Sequence, residues 1–460
     1  MKIKNLLLTF VACTVLASTT IAQKTAEKKP EIKYRRSSLH MIMIDDAKLP
    51  NATVIKNTFV KAPLPDKYND HSLASRSFVQ DKYALTAEEK AASGAKADGK
   101  GKAMAKGMAK GAVSGATGGL VDTTNTKDLP QVINKYLVAN HVAKDMVARW
   151  FNRGANGAFN MNLIGDRGSY DASAMQVNIA KSSARGLASI ADAGVELIAN
   201  TFVVVTRFNY ISKKQIYDAA QSGKSLVKVN VKVSAPTPAA QAAIDAAYKK
   251  ATEGYIVQCT SYLYQLVWND SVEAVFYNDL WMDDSKIDAK RKEAFDNSNL
   301  FSLKFVGDGK AWAQVPTSFK KKRTEEELIS IATQNASDAV IAKLQRDYEV
   351  FKTKMPLFTG LPITAKIGMK EGLEAGDKFE VLEQTIDEKT GKTKYVSKGK
   401  IKVAKDMVWD NRFNAGEEQP EETPALDKDG KPLPPKPILD RTTFSGGKKF
   451  YDGMLIRQVK

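Results

Sequence analysis

The stretch Ile164-Gly165-Asp166-Arg167-Gly168-Ser169-Tyr170-Asp171 is the best polar candidate for a site in the chain. An arginine between glycines, with two carboxylates and two hydroxyls close by, can hold a carboxylate or phosphate through a two-pronged contact. Asp166, Arg167, Ser169, Tyr170 and Asp171 are therefore the candidate binding residues. The same types have a plainer use. Gly165 and Gly168 would form a turn, Ser169 or Asp171 would cap the next helix, and Arg167 would pair with Asp166 or a neighbour. The plainer use is preferred.

Other chemistry is thinly supplied. His40, His71 and His141 stand alone, with no His-Glu-x-x-His or Cys-x-x-Cys spacing, so no metal site is expected. A Ser-His-Asp triad would have to draw on one of these isolated histidines. No phosphate loop, dinucleotide fingerprint or nucleophile elbow is present, and no cofactor or catalytic residue is assigned. Asp283–Asp288 lacks a full calcium-loop pattern. Trp268, Phe276, Tyr277, Leu280 and Trp281 could stack on a sugar, but alternating strand positions more often supply core, which is the preferred reading. Cys259 lies in an apolar run and reads as a small core side chain.

The elements that must position these residues begin with an export signal. A basic start, an apolar stretch from Leu6 to Ala17 and the small residues Thr20 and Ala22 predict a signal peptide over 1–22. Acylation of Cys13 is the rival reading, and ordinary secretion is preferred. Cleavage leaves Cys259 as the single thiol, so no internal disulfide is expected. The net charge of +17 favours an anionic envelope surface as partner, and nucleic acid is not expected in that compartment. No later run is long and apolar enough to span a bilayer, so any membrane association would be peripheral.

The expected fold class is α+β: a mixed N-terminal domain over 32–91 and 128–284, a linking region over 285–355, and a small β-barrel-like domain over 356–460. The Gly/Ala/Lys segment over 92–127, with Gly107, Gly111, Gly115 and Gly119 four apart, reads as a flexible insertion. Leu129 to Trp150 has helical register, Asn269-Asp270 reads as a hairpin turn, and Gly307-Asp308-Gly309 reads as a turn between two strands. Thr324 and Glu327 form a capping box for a long helix that would join the two domains, with a break expected near Asn335.

Residues Gly372-Leu373-Glu374-Ala375-Gly376-Asp377-Lys378-Phe379-Glu380-Val381 resemble a turn-plus-strand of small β-barrel modules in bacterial envelope proteins, including a flagellar assembly protein. The preceding order, with Ala191–Val205 feeding a strand and then a helix, resembles the curli-export lipoproteins and their flagellar relatives. The signal peptide with Gln23 after the cut resembles exported envelope proteins of Bacteroidota. These resemblances imply an envelope address and no specific activity. The expected function is non-catalytic binding or scaffolding in the periplasm or at the outer membrane, with an envelope protein or anionic surface as partner. The alternative is an exported hydrolase of glycan or peptide using Asp166 and Asp171.

Overall fold

The computed structural model describes residues 34–49, 51–94, 128–170, 196–212, 255–315, 323–387, 393–413, 415, 439–447 and 450–459. The expected signal peptide, the insertion beyond Gly94, the Ala235–Gly254 connection and the Pro-rich stretch after Gly416 lie outside the described residues.

The chain is α+β, built on two sheets. The first begins with β1 (Ser38–Asp45), followed by α1 (Ala52–Lys61), β2 (Asn69–Asp70), β3 (Ser77–Val79) and α2 (Ala87–Gly94). Then come α3 (Leu129–Ala139), α4 (Val142–Trp150), α5 (Asn162–Tyr170), β4 (Thr201–Ser212) and β5 (Tyr255–Leu266). Two short helices, α6 (Asp270–Val275) and α7 (Ala289–Asp296), precede β6 (Leu303–Val315) and the long α8 (Glu325–Asp347). The sheet order is β2-β1-β4-β5-β6, with β3 also beside β1. Strands β2, β3 and β4 run parallel to β1, while β4, β5 and β6 alternate in direction.

Both faces of this sheet are covered, which is why β4 reads as a continuous apolar run. Phe202, Val204 and Phe208 pack with Leu39, Met41 and Cys259 against α1 and α8. Val203 and Val205 pack with Ile42, Ile44 and Tyr264 against α3 and α4. A third cluster, rich in aromatic side chains, joins α4 to α6 and α7 through Trp150, Phe151, Phe159, Phe276 and Phe295.

Four local expectations change. The helical register of Leu129–Trp150 is split into α3 and α4 at Asn140-His141, where His141 has φ 51° and Asn140 bonds the Tyr136 carbonyl. Asn269 does not form a hairpin turn: its Oδ1 accepts from the Val272 amide, and the following residues are helical. Gly307-Asp308-Gly309 does not turn either, because β6 is one strand. A Cβ on Gly307 would lie 2.1 Å from the Tyr348 hydroxyl oxygen, which bonds both the amide and the carbonyl of Asp308. The glycine admits a neighbour rather than a reversal. Helix α8 is unbroken at Asn335, and its apolar side lies on the first sheet as part of that core.

The second sheet is antiparallel. It contains β7 (Met355–Pro356), β8 (Thr359–Gly360), β9 (Ile363–Ala365), β10 (Lys378–Ile386), β11 (Thr393–Val403), β12 (Thr442–Ser445) and β13 (Leu455–Val459). Its order is β7-β13-β10-β11-β12-β9-β8. The two end strands are separated by only Leu357 and Phe358 in the chain, so the sheet curls into a barrel-like module around Phe379, Val381, Ile401, Val403 and Ile456. Gly372 (φ 70°) and Gly376 (φ 95°) make the turns that lead into β10.

Among the places where the curled sheet meets the first part of the chain, two stand out. Arg346 of α8 donates to the Gly372 carbonyl at 3.2 Å. Beside it, Asp338 of α8 faces Asp66 and Lys67 from one side and Lys370 and Glu371 from the other. Lys67 is buried and donates to Gln345 at 3.2 Å, while one Asp338 carboxylate oxygen is buried with no hydrogen-bond partner among the described residues. Burial raises the Asp338 carboxyl to about 7. At the second place, the Tyr34 and Tyr395 hydroxyls meet at 2.5 Å.

Candidate functional site

The stretch expected to be a turn is helix α5. Gly165 has open space around the position of a side chain, so nothing there forces the chain to reverse. Asp166 is exposed on this helix, whereas Arg167 is turned toward the first sheet. Ser169 and Tyr170 lie on the α5 backbone, but their side chains, and all of Asp171, lie outside the described residues. Asp166 and Arg167 do not pair. Instead Arg167 Nη1 donates to Ser38 Oγ at 3.2 Å and to His71 Nδ1 at 3.1 Å, and Nη2 donates to the Asp70 carbonyl at 2.6 Å. Its guanidinium also lies 4.5 Å from the Trp150 ring centroid. The expected anion clamp is thus committed to joining α5, β1 and β2.

His71 completes the junction. Its Nε2 lies 2.9 Å from the Met146 carbonyl. A carbonyl only accepts and a guanidinium only donates, so the neutral tautomer carrying its proton on Nε2 is fixed. The ring stacks on Trp150 at 4.8 Å, and Trp150 Nε1 donates to Thr201 Oγ1 at 2.9 Å. Burial lowers the His71 pKa to about 3; the nearby Arg167 and Arg149 add to this, and the Met146 bond opposes it. His40, on the same face of β1, is lowered to about 3 by burial and then by Arg76 and Arg149. Its Nδ1 accepts from the Leu73 amide at 3.4 Å, and its Nε2 has no partner among the described residues. Cys259 is buried in β5, and burial pushes its thiol up to about 12, which makes it unreactive at neutral pH. Phe276 and Leu280 are core, with Tyr277 and Trp281 packed partly against them.

Next to the Arg167 junction, at the outer edge of the first sheet, lies a cleft of about 340 Å³. Its walls are the end of α1 and the loop after it (Val60 to Asp66), then Asp70, Ser72 and Arg76, with Arg35 closing one side. The cleft exists because β2 and β3 pair with opposite ends of β1, and the chain between them swings away. Arg76 fills part of that gap: Nε donates to the Met41 carbonyl at 3.3 Å and Nη1 to the Val60 carbonyl at 3.0 Å. Arg35 Nε donates to the Asp66 carbonyl at 2.6 Å. Asp70 accepts the Ser72 amide at 2.8 Å, and its carboxyl pKa is lowered; burial opposes this, while the Ser72 bonds, Arg149 and Arg76 outweigh the burial.

Arg35, Asp70 and Arg76 are absent from the sequence-derived set. Arg35 stands in a polar lead-in and Arg76 in a short strand-like run, and a guanidinium held by backbone carbonyls leaves no pattern in residue types. Among the described residues, no group of three or more His, Cys, Asp or Glu side chains is arranged to hold a metal ion. Compared with known proteins, the chain matches no family model and none of the curated proteins.

Proposed function

We propose that the protein is a non-catalytic binding or scaffolding component of the cell envelope. The observation that carries this reading is the use made of the polar side chains: Arg167 and His71 tie elements together, and Cys259 packs in the core. The cleft beside them presents arginines held by backbone bonds, an arrangement suited to holding a partner group. The envelope address is supported by the N-terminal sequence.

Charge supports a peripheral association with an anionic surface. Basic and acidic residues are nearly balanced among the described residues, so nearly all of the +17 excess belongs to other segments. These include the lysines of 95–127 and of 213–254. In-cell crosslinking followed by purification and fractionation tests the proposal. The expected result is recovery with one or more envelope components. Recovery solely as a free monomer, with none in the envelope fraction, rejects it. Turnover of glycan or peptide by the purified chain would replace it with the hydrolase reading.

A further inference from the structure

We infer that the cleft at the edge of the first sheet is a receptor for a single carboxylate, such as the C-terminal carboxylate of a peptide. This assignment rests on the binding reading above and gives it a ligand class.

Three observations carry it. First, Arg35 and Arg76 both line the cleft, and backbone carbonyls hold one nitrogen of Arg35 and two of Arg76. Neither forms an ion pair with a carboxylate among the described residues. This leaves the Nη nitrogens of Arg35 and Nη2 of Arg76 without a protein acceptor there. Guanidinium groups already fixed in place lose little freedom when they take up an anion. Second, the charges of the lining select the ligand. Arg35, Lys61 and Arg76 face Asp66 and Asp70, which leaves one positive charge uncompensated. One carboxylate neutralises it, whereas a phosphate dianion would overshoot and meet two aspartates. Third, the exposed surface of the cleft is mainly polar, as a carboxylate's own partners require, and 340 Å³ leaves room for a small substituent next to the carboxylate. Arg76 is half-buried, and burial lowers its pKa with Asp70 opposing, so an arriving anion would add a counter-charge that offsets the burial.

The test is calorimetric titration of the full chain with N-acetyl-alanyl-alanine, with the same dipeptide as its C-terminal amide, and with inorganic phosphate. The acid should bind saturably, and the amide should bind at least about tenfold more weakly, as expected when a charge-assisted hydrogen bond is lost. Arg35→Gln should weaken the acid by about tenfold while leaving the melting temperature within about two degrees of the parent, because Arg35 has one backbone bond at an exposed edge. Lys61→Glu, at an exposed side chain, reverses the charge balance of the lining and should abolish binding without touching either arginine. Equal binding of acid and amide, undiminished binding by both variants, or tighter binding of phosphate than of the acid each overturns the assignment. Absence of all binding also overturns it, and leaves the crosslinking experiment to decide the broader binding reading independently.

Discussion

Arg167 shows how a side chain with the right chemistry can be committed elsewhere. Three of its hydrogen-bond partners, Ser38, Asp70 and His71, are 129, 97 and 96 positions away in the chain. Arg167→Met would strand the Asp70 carbonyl and the His71 Nδ1 and should lower stability by about 2–4 kcal/mol in urea denaturation. Arg167→Lys should restore only part of this, because a single ammonium cannot reach all three acceptors. A methionine variant as stable as the parent would return Arg167 to the role of a ligand clamp. The sequence marked Arg167 through its neighbours, but the role depends on residues that only the fold brings near. The two buried histidines give a pH dependence of definite sign. Both have folded pKa values of about 3 against an ordinary value of 6.5, so the unfolded chain binds more protons between these limits. Stability should therefore be full above about pH 6.5 and fall as the pH drops toward 3. Replacing His40 by Leu should shrink the difference in unfolding midpoint between pH 7.5 and pH 4.5; an unchanged difference would show that His40 is not held neutral by burial.

At the scale of the element, α8 was legible at its start and illegible at its seat. The capping box is formed as its residues predict, with the Glu327 amide on Thr324 Oγ1 at 3.2 Å and the Thr324 amide on Glu327 Oε2 at 3.0 Å. Thr324→Ala should cost about 1 kcal/mol, read as a shift in the urea midpoint. The seat depends on Gly307, whose meaning is supplied by Tyr348, far along the chain. Gly307→Val should force the end of α8 away from β6 and lower the melting temperature by about 1–4 °C, as a 1–3 kcal/mol overpacking penalty would in a chain of this length. A valine variant that melts with the parent would mean that the strand can reverse there after all. The hairpin expected at Asn269-Asp270 failed for a related reason. Asparagine suits both a turn and a helix N-cap, and Val272, Phe276 and Leu280, four apart and all buried, settle the choice by packing into one cluster. The apolar periods of β1, β4, β5 and β10 were readable because each strand states its own pattern, whereas junctions are written in two places at once.

At the scale of the whole molecule, the joint between α8 and the curled sheet is sensitive to protons. Asp338 has a folded pKa of about 7 against an ordinary 3.8, so the folded chain holds a proton that the unfolded chain releases between these values. Its contribution to stability therefore falls as pH rises from about 4 to about 7, and above that the ionised carboxylate is a standing cost. Asp338→Asn should stabilise the chain by about 1–3 kcal/mol at pH 8 and by much less at pH 5, measured by urea denaturation at both values. An equal effect at the two pH values would mean that the carboxyl is ionised throughout. The sheet order also fixes a sequence of events in time. Strand β1 is made early, yet Ser38 to Met43 pair with Thr201 to Thr206 of β4. At the usual pace of synthesis, the edge of β1 waits on the order of ten seconds for that partner. The Tyr34 hydroxyl waits longer still, since Tyr395 lies 361 positions further on. Throughout this interval the apolar run Met41-Ile42-Met43-Ile44 has neither its sheet neighbour β4 nor α8 over it, so truncated products ending before β4 should aggregate, and a growing chain depends on whatever shields those four residues until the strand arrives.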